Sequence, residues 1–106
     1  GQITDIQIQP GITGIGQATF SYLPNIRTVV IPEGVTYIGP CAFMLSGSRT
    51  FYLPKSLQQL AYLALEPTTG DKIDIIYSGS EEEWNNIFME DPDTLYATIN
   101  SLVFCE

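Results

Sequence analysis

The stretch "VVIPEGVTYIGPCAF", Val29–Phe43, decides the fold, because the chain has already written most of it once as "IQPGITGIGQATF", Ile8–Phe20. Sliding the sequence along itself by 23 residues places Ile3, Ile6, Ile8, Ile12, Ile15, Gly16 and Phe20 on Ile26, Val29, Ile31, Val35, Ile38, Gly39 and Phe43. A third copy follows after a one-residue deletion, with Phe51, Leu53, Leu57, Leu60, Ala61 and Leu65 taking the same places. A fourth begins at Ile75 and Tyr77, with two extra residues accommodated in the turn "EPTTGDK", Glu66–Lys72. Pro10, Pro32 and Pro54 suggest a competing alignment one residue out of step. The apolar ladder sets the register, since a one-residue slip would turn every buried side chain outward, whereas a loop proline can move.

A period of this length with an apolar-x-x-apolar-x-apolar core is the signature of leucine-rich repeats, in which each repeat supplies one strand to a solenoid. Within a unit, "IRTVVIP" alternates as a half-buried strand does and its proline ends the pairing. A tight turn through "PG" or "EG" leads to a second short extended piece, "VTYIG". Gly16 and Gly39 are expected where the chain bends closely at the far side, and Phe20, Phe43 and Leu65 inside successive turns. A single unit cannot bury its own apolar face, so its neighbours must do so.

On these residues the chain resembles the bacterial BspA-like leucine-rich-repeat family, whose units look like "L-x-x-V-x-I-P-x-S-V-T-x-I-G-x-x-A-F". The resemblance covers about Ile3 to Trp84. It departs from the family pattern after the "AF", where a "C-x-x-L" is usual: Leu23 and Ile26 partly serve in the first unit, and "MLSGSRT" has lost both parts. "IIYSGSEEEWNNI", Ile75–Ile87, looks like the "Y-x-G-T-x-x-E-W-x-x-I" ending that follows the last repeat in such proteins.

Independently of the resemblance, Ser80 and Glu83 have the spacing of a capping box. Glu81–Glu83 suit the positive end of a helix dipole. Trp84, Ile87 and Phe88 are then expected on one helical face, covering the open end of the core. "EDPD", Glu90–Asp93, is expected to be a solvated turn ending that helix, and "TLYATINSLVFCE" one last strand or two. The fold expected is therefore a β-rich α/β leucine-rich-repeat solenoid, a right-handed superhelix of about four rungs with a C-terminal helical cap. It forms a single domain over 1–106, with repeats at about 3–25, 26–47, 48–71 and 72–80 and the cap over 80–106.

Composition narrows the function. The 106 residues carry 4 Lys plus Arg against 12 Asp plus Glu, a formal charge of -8, which repels nucleic-acid backbones and anionic lipid surfaces. No stretch approaches the apolar length of a membrane span, and no basic-then-apolar leader opens the sequence; if the chain is exported, its signal lies upstream or has been removed. There is no His, hence neither the commonest general base nor the commonest transition-metal ligand. No nucleophile elbow, P-loop or EF-hand loop occurs. "GITGIG" is repeat scaffolding, since its copy recurs one unit later. The reading is of a non-enzyme without cofactor or metal. Cys41 and Cys105 fall about three strands apart, at least ~14 Å, too far for a disulfide, whose Cα atoms lie within about 7 Å. Two free thiols are expected, Cys41 taking the place that Ala18 holds one unit earlier.

Strand alternation that buries Val29 and Ile31, Phe51 and Leu53, Ile75 and Tyr77 must turn the residues between them outward. Gln7, Val30, Tyr52 and Ile76 are therefore expected as one column on the sheet, flanked by Asp5, Thr28, Thr50 and Asp74. Three apolar members exceed what a solvated face needs. They mark either a contact site or strand propensity alone.

The resemblance implies a bacterial cell-surface or secreted adhesion module binding a protein or glycan, with host extracellular matrix among the candidates. The alternative is a spacer or terminal segment of a larger repeat protein. The N-terminal strand, with Ile3, Ile6 and Ile8 and no polar cap, is an edge open to self-association.

Overall fold

The computed structural model describes residues 5–67 and 70–105. Ile3, and Thr68–Thr69 in the expected turn, lie outside that range. The chain runs β1 (Asp5–Gln7), β2 (Gly14–Ile15), β3 (Thr28–Val30), β4 (Tyr37–Ile38), β5 (Thr50–Leu53), β6 (Gln59–Leu60) and β7 (Ile73–Tyr77). It continues through α1 (Glu81–Asn85), β8 (Phe88–Met89), α2 (Pro92–Thr98) and β9 (Ile99–Phe104).

Successive strands alternate between two parallel sheets. The odd-numbered strands form a five-stranded sheet in the order β1-β3-β5-β7-β9, and the even-numbered strands a four-stranded sheet in the order β2-β4-β6-β8. The register is the one the apolar ladder demands: Ile6 pairs with Val29, Val29 with Phe51, Phe51 with Ile75 and Ile75 with Leu102. In the second sheet Ile15 pairs with Ile38, Ile38 with Leu60 and Leu60 with Met89.

Between the sheets lies one apolar cluster in which Val29, Val35, Ile38, Leu53, Ile73, Ile75 and Tyr77 are wholly buried. Phe20 and Phe43 stack with ring centroids 5.2 Å apart, and Phe43 meets Phe51 edge-on at 5.5 Å. The segment between the sheets is bonded from unit to unit through its backbone: Ala18, Phe20 and Tyr22 donate N–H to the carbonyls of Pro40, Ala42 and Met44, and Cys41, Phe43 and Leu45 to those of Tyr62, Ala64 and Glu66. Ala18, Tyr22, Cys41 and Leu45 in this ladder lie in the left-handed region, with φ of 57°, 59°, 57° and 56°, as does Leu63 at 56°. The conformation costs a residue with a side chain about 1–2 kcal/mol, and the inter-unit hydrogen bonds offset it.

Where "MLSGSRT" departs from the family pattern, a polar pair replaces the missing apolar contact. Ser46 and Ser48 are buried and their hydroxyls bond each other at 2.8 Å. Gly47 between them has φ +77°, and a Cβ there would strike the Pro24 carbonyl of the preceding unit.

The helix start at Ser80 is as expected. Ser80 Oγ accepts from Glu83 N–H at 3.1 Å, and Glu83 Oε1 accepts from Ser80 N–H at 2.9 Å. Trp84, 1% exposed, packs edge-on against Tyr77 at 5.2 Å, and its Nε1–H donates to Tyr96 Oη at 2.9 Å.

Three expectations are corrected. Phe88 does not share the buried face of Trp84 and Ile87: the helix stops at Asn85, and Phe88 enters β8 beside Gln59 with its side chain outward and 60% exposed. "EDPD" does not terminate that helix but opens a second one, Asp91 capping Thr94 N–H at 3.2 Å with Pro92 in the first turn. The segment after it is strand only from Ile99. The tail therefore does more than cap the core, since β8 and β9 add a strand to each sheet. Cys41 and Cys105 are free thiols.

Candidate binding face

The outer side of the five-stranded sheet carries the residues singled out by alternation. Pairing aligns Gln7, Val30, Tyr52 and Ile76 in one row, and Asp5, Thr28, Thr50 and Asp74 in the row beside it. In β5 and β7 the burial pattern alternates residue by residue, so Tyr52 projects between buried Phe51 and Leu53, and Ile76 between buried Ile75 and Tyr77. Tyr52 is 43% exposed, Gln7 and Asp5 are exposed, and Val30, Ile76, Thr28, Thr50 and Asp74 are half-buried.

Sequence reasoning stopped one strand short. β9 extends the rows with Val103 beside Ile76 and Ser101 beside Asp74. Val103 is 48% exposed. The alternation of "INSLVF" carried that signal, and reading the tail as a cap obscured it. The central row is thus Gln7, Val30, Tyr52, Ile76 and Val103, apolar from its second member onward.

The flanking row is polar and ordered. Asp74 Oδ1 accepts from Asn100 Nδ2 at 2.9 Å and from Ser101 Oγ at 2.7 Å. These two bonds, Asn100 first, hold its carboxyl below the ordinary aspartate range against a weaker opposing effect of burial. Just before the strands, cations reach toward the following unit: Arg27 donates to the Gly47 carbonyl at 3.2 Å, Arg49 pairs with Asp71 at 3.2 Å and Lys72 donates to the Ala97 carbonyl at 3.2 Å. Three of the four cationic side chains are thereby engaged within the protein, and the face presents hydroxyl, carboxylate and apolar groups.

The second sheet has its own outward row, Gly14, Tyr37, Gln59 and Phe88, which the sequence did not single out. A small cavity of about 20 Å³, room for one water, lies under α2 and is lined by Glu66, Asp91 and Thr94 among apolar neighbours. Burial, and then the charge of Asp91, raises the Glu66 carboxyl above its ordinary value. Among the described residues no group of three or more His, Cys, Asp or Glu is placed to hold a metal, and no helix is long and apolar enough to cross a membrane.

Two parallel sheets built by alternating short strands, with one set of apolar positions repeated in each unit, define a leucine-rich-repeat protein. A family model described as the BspA type leucine rich repeat region (6 copies) matches residues 1–90, and the chain belongs to that family. Comparison with curated proteins and with solved structures gave no match.

Proposed function

We propose that this chain is a non-catalytic recognition module of a bacterial cell-surface or secreted protein, binding a protein or glycan partner through the outer face of the five-stranded sheet. The observation that carries the reading is the row Val30, Tyr52, Ile76 and Val103, in register on adjacent strands and open to solvent at Tyr52 and Val103. Aromatic and aliphatic side chains fixed by a parallel sheet lose little freedom on binding, so affinity comes from preorganisation. The polar row of Thr28, Thr50 and Asp74 supplies hydrogen-bonding groups beside the apolar one. Repeat proteins use extended surfaces of this kind for partners. The architecture behind it is a right-handed superhelix of about four rungs, consistent with parallel strands joined by crossovers of the usual hand.

The test is binding of the purified chain, beside Tyr52→Ala and Val30→Asp, to extracellular matrix proteins and to host and bacterial glycans at physiological salt. Saturable binding to one class, weakened about tenfold or more in both folded variants, supports the reading. Binding that both variants retain moves the site off this face. No binding by the folded chain favours a spacer role within a larger surface protein.

A further inference from the structure

Residues 31–36 and 54–58 cross from the five-stranded to the four-stranded sheet as tight turns, whereas residues 78–87 make the same crossing through α1. A helix is wider than an extended turn, so α1 cannot follow the preceding turn along its whole length. The two segments touch at both ends. At the first, Gly79 admits Lys55: a Cβ on that glycine would lie 3.1 Å from Lys55 Cβ and 3.0 Å from Glu83 Oε1. At the second, Phe88 N–H donates to the Gln58 carbonyl at 2.9 Å. Between these contacts lies an open cleft of about 290 Å³, lined by Lys55, Ser56, Leu57, Gln58, Glu83 and Asn86. Its size is near the lower end of the roughly 300–1,000 Å³ of small-molecule sites.

The lining divides into groups that build the cleft and groups that are left for a ligand. Leu57 is buried. Ser56 Oγ is spent, donating to the Val35 carbonyl at 2.8 Å and accepting from Gly34 N–H at 2.9 Å. One Glu83 oxygen accepts from Ser80 N–H in the capping box. Lys55 Nζ and the side-chain amides of Gln58 and Asn86, by contrast, engage no described residue through a hydrogen bond or ion pair. The backbone beneath these amides is fixed. Gln58 N–H donates to the Thr36 carbonyl at 2.8 Å, and Asn86, the C-cap of α1, donates its N–H to the Glu83 carbonyl at 3.1 Å.

The chemistry of these groups indicates the ligand. Glu81, Glu82 and Glu83 head the helix, and Glu33 Oε1 accepts from Lys55 N–H at 3.1 Å, so carboxylates flank the one ammonium and disfavour an anion. A wholly apolar ligand would desolvate the two amides without pairing them. What fits is a neutral molecule whose groups both donate and accept, because each amide does both, the ammonium donates and the carboxylate accepts. Phe88, 60% exposed and bonded through its N–H to the wall of the cleft, adds an aromatic ring beside it. Adjacent hydroxyls above an apolar C–H face are the pattern of a pyranose.

We propose that the cleft between the third turn and α1 binds a neutral saccharide unit. The amides of Gln58 and Asn86 exchange hydrogen bonds with neighbouring hydroxyls, Lys55 and Glu83 hold the ligand from the two walls, and the ring of Phe88 supports its C–H face. None of these residues belongs to the rows on the five-stranded sheet, so this site and the one proposed there stand or fall independently.

Titration of the 15N-labelled chain with the methyl glycosides of glucose, galactose, mannose and N-acetylglucosamine, followed by amide NMR shifts, is the test. Inorganic phosphate and glycine serve as the anionic and zwitterionic alternatives. At least one glycoside is expected to shift the backbone amides of residues 55–58 and 83–88 and the side-chain amides of Gln58 and Asn86, saturably, with a dissociation constant of about 1 mM or lower. Gln58→Ala, Asn86→Ala and Phe88→Ala, all at exposed positions and verified as folded by unchanged urea midpoints, should each weaken it about tenfold. Tyr52→Ala, on the other face, should leave it in place. No saturable shift with any glycoside overturns the proposal, as do shifts at these amides with phosphate or glycine alone. Binding that is insensitive to all three cleft variants, or lost in Tyr52→Ala, overturns it equally.

Discussion

Phe43 and Phe88 are the same residue type on opposite sides of the repeat's packing rule, and replacing each by alanine tests that rule directly. Phe43 is 1% exposed, stacked on Phe20 at 5.2 Å and edge-on to Phe51 at 5.5 Å. A buried phenyl removes at least ~150 Å² from water, which at about 25 cal/mol per Å² is worth about 4 kcal/mol. The two ring contacts add about 0.5–1.5 kcal/mol each, and partial collapse of the cavity by half-buried Phe20 recovers some of the loss. Phe43→Ala should therefore lose ~3–5 kcal/mol, a large share of the roughly 5–15 kcal/mol available to a small domain. Phe88, 60% exposed in β8, should change stability by no more than about 0.5 kcal/mol. Urea denaturation followed by circular dichroism and tryptophan fluorescence reads both, Trp84 reporting on its packing against Tyr77. The midpoint should fall steeply for Phe43→Ala at an unchanged slope and stay in place for Phe88→Ala. Equal effects, or the reverse order, would refute the assignment of inward and outward faces.

Two carboxylates give stability opposite dependences on pH. The folded-state value of Glu66 is raised by burial and by Asp91, so its favourable contribution is complete below its unfolded value and is lost as pH rises through the folded one; Glu66→Gln should be more stable than the parent at pH 7 and no different at pH 3. The folded-state value of Asp74 is lowered by Asn100 and Ser101, so its contribution is present above the unfolded value and is lost as pH falls through the folded one. Asn100→Ala with Ser101→Ala should accordingly destabilise near neutrality and converge with the parent in acid, as urea midpoints at a series of pH values would show; an effect that persists unchanged in acid would place it elsewhere.

The sequence by itself determined the period, the register and the side to which each strand residue points in the repeats. Those follow from one physical constraint: an apolar ladder with a period near 23 residues must bury the same positions in every unit, and strand alternation then turns Gln7, Val30, Tyr52 and Ile76 outward. Ser80 and Glu83 were legible for a similar reason, since a capping box is satisfied within one turn of chain. The tail was less legible because its local signals competed. Asp91 and Pro92 form a helix start, yet they sit in an acidic stretch that also reads as a turn. Phe88 has the spacing of a helical neighbour of Trp84, and only a free strand edge at β6 draws it into β8 and outward. The left-handed backbone at Ala18, Tyr22, Cys41, Leu45 and Leu63 has no signature in residue type; at the first four it accompanies hydrogen bonds to residues 21 or 22 positions further along. Tertiary structure also decided what was exposed: Ile12 and Val35 are equivalent in sequence, yet Ile12 is 40% exposed and Val35, with the unit of Ile12 against it, is 0% exposed.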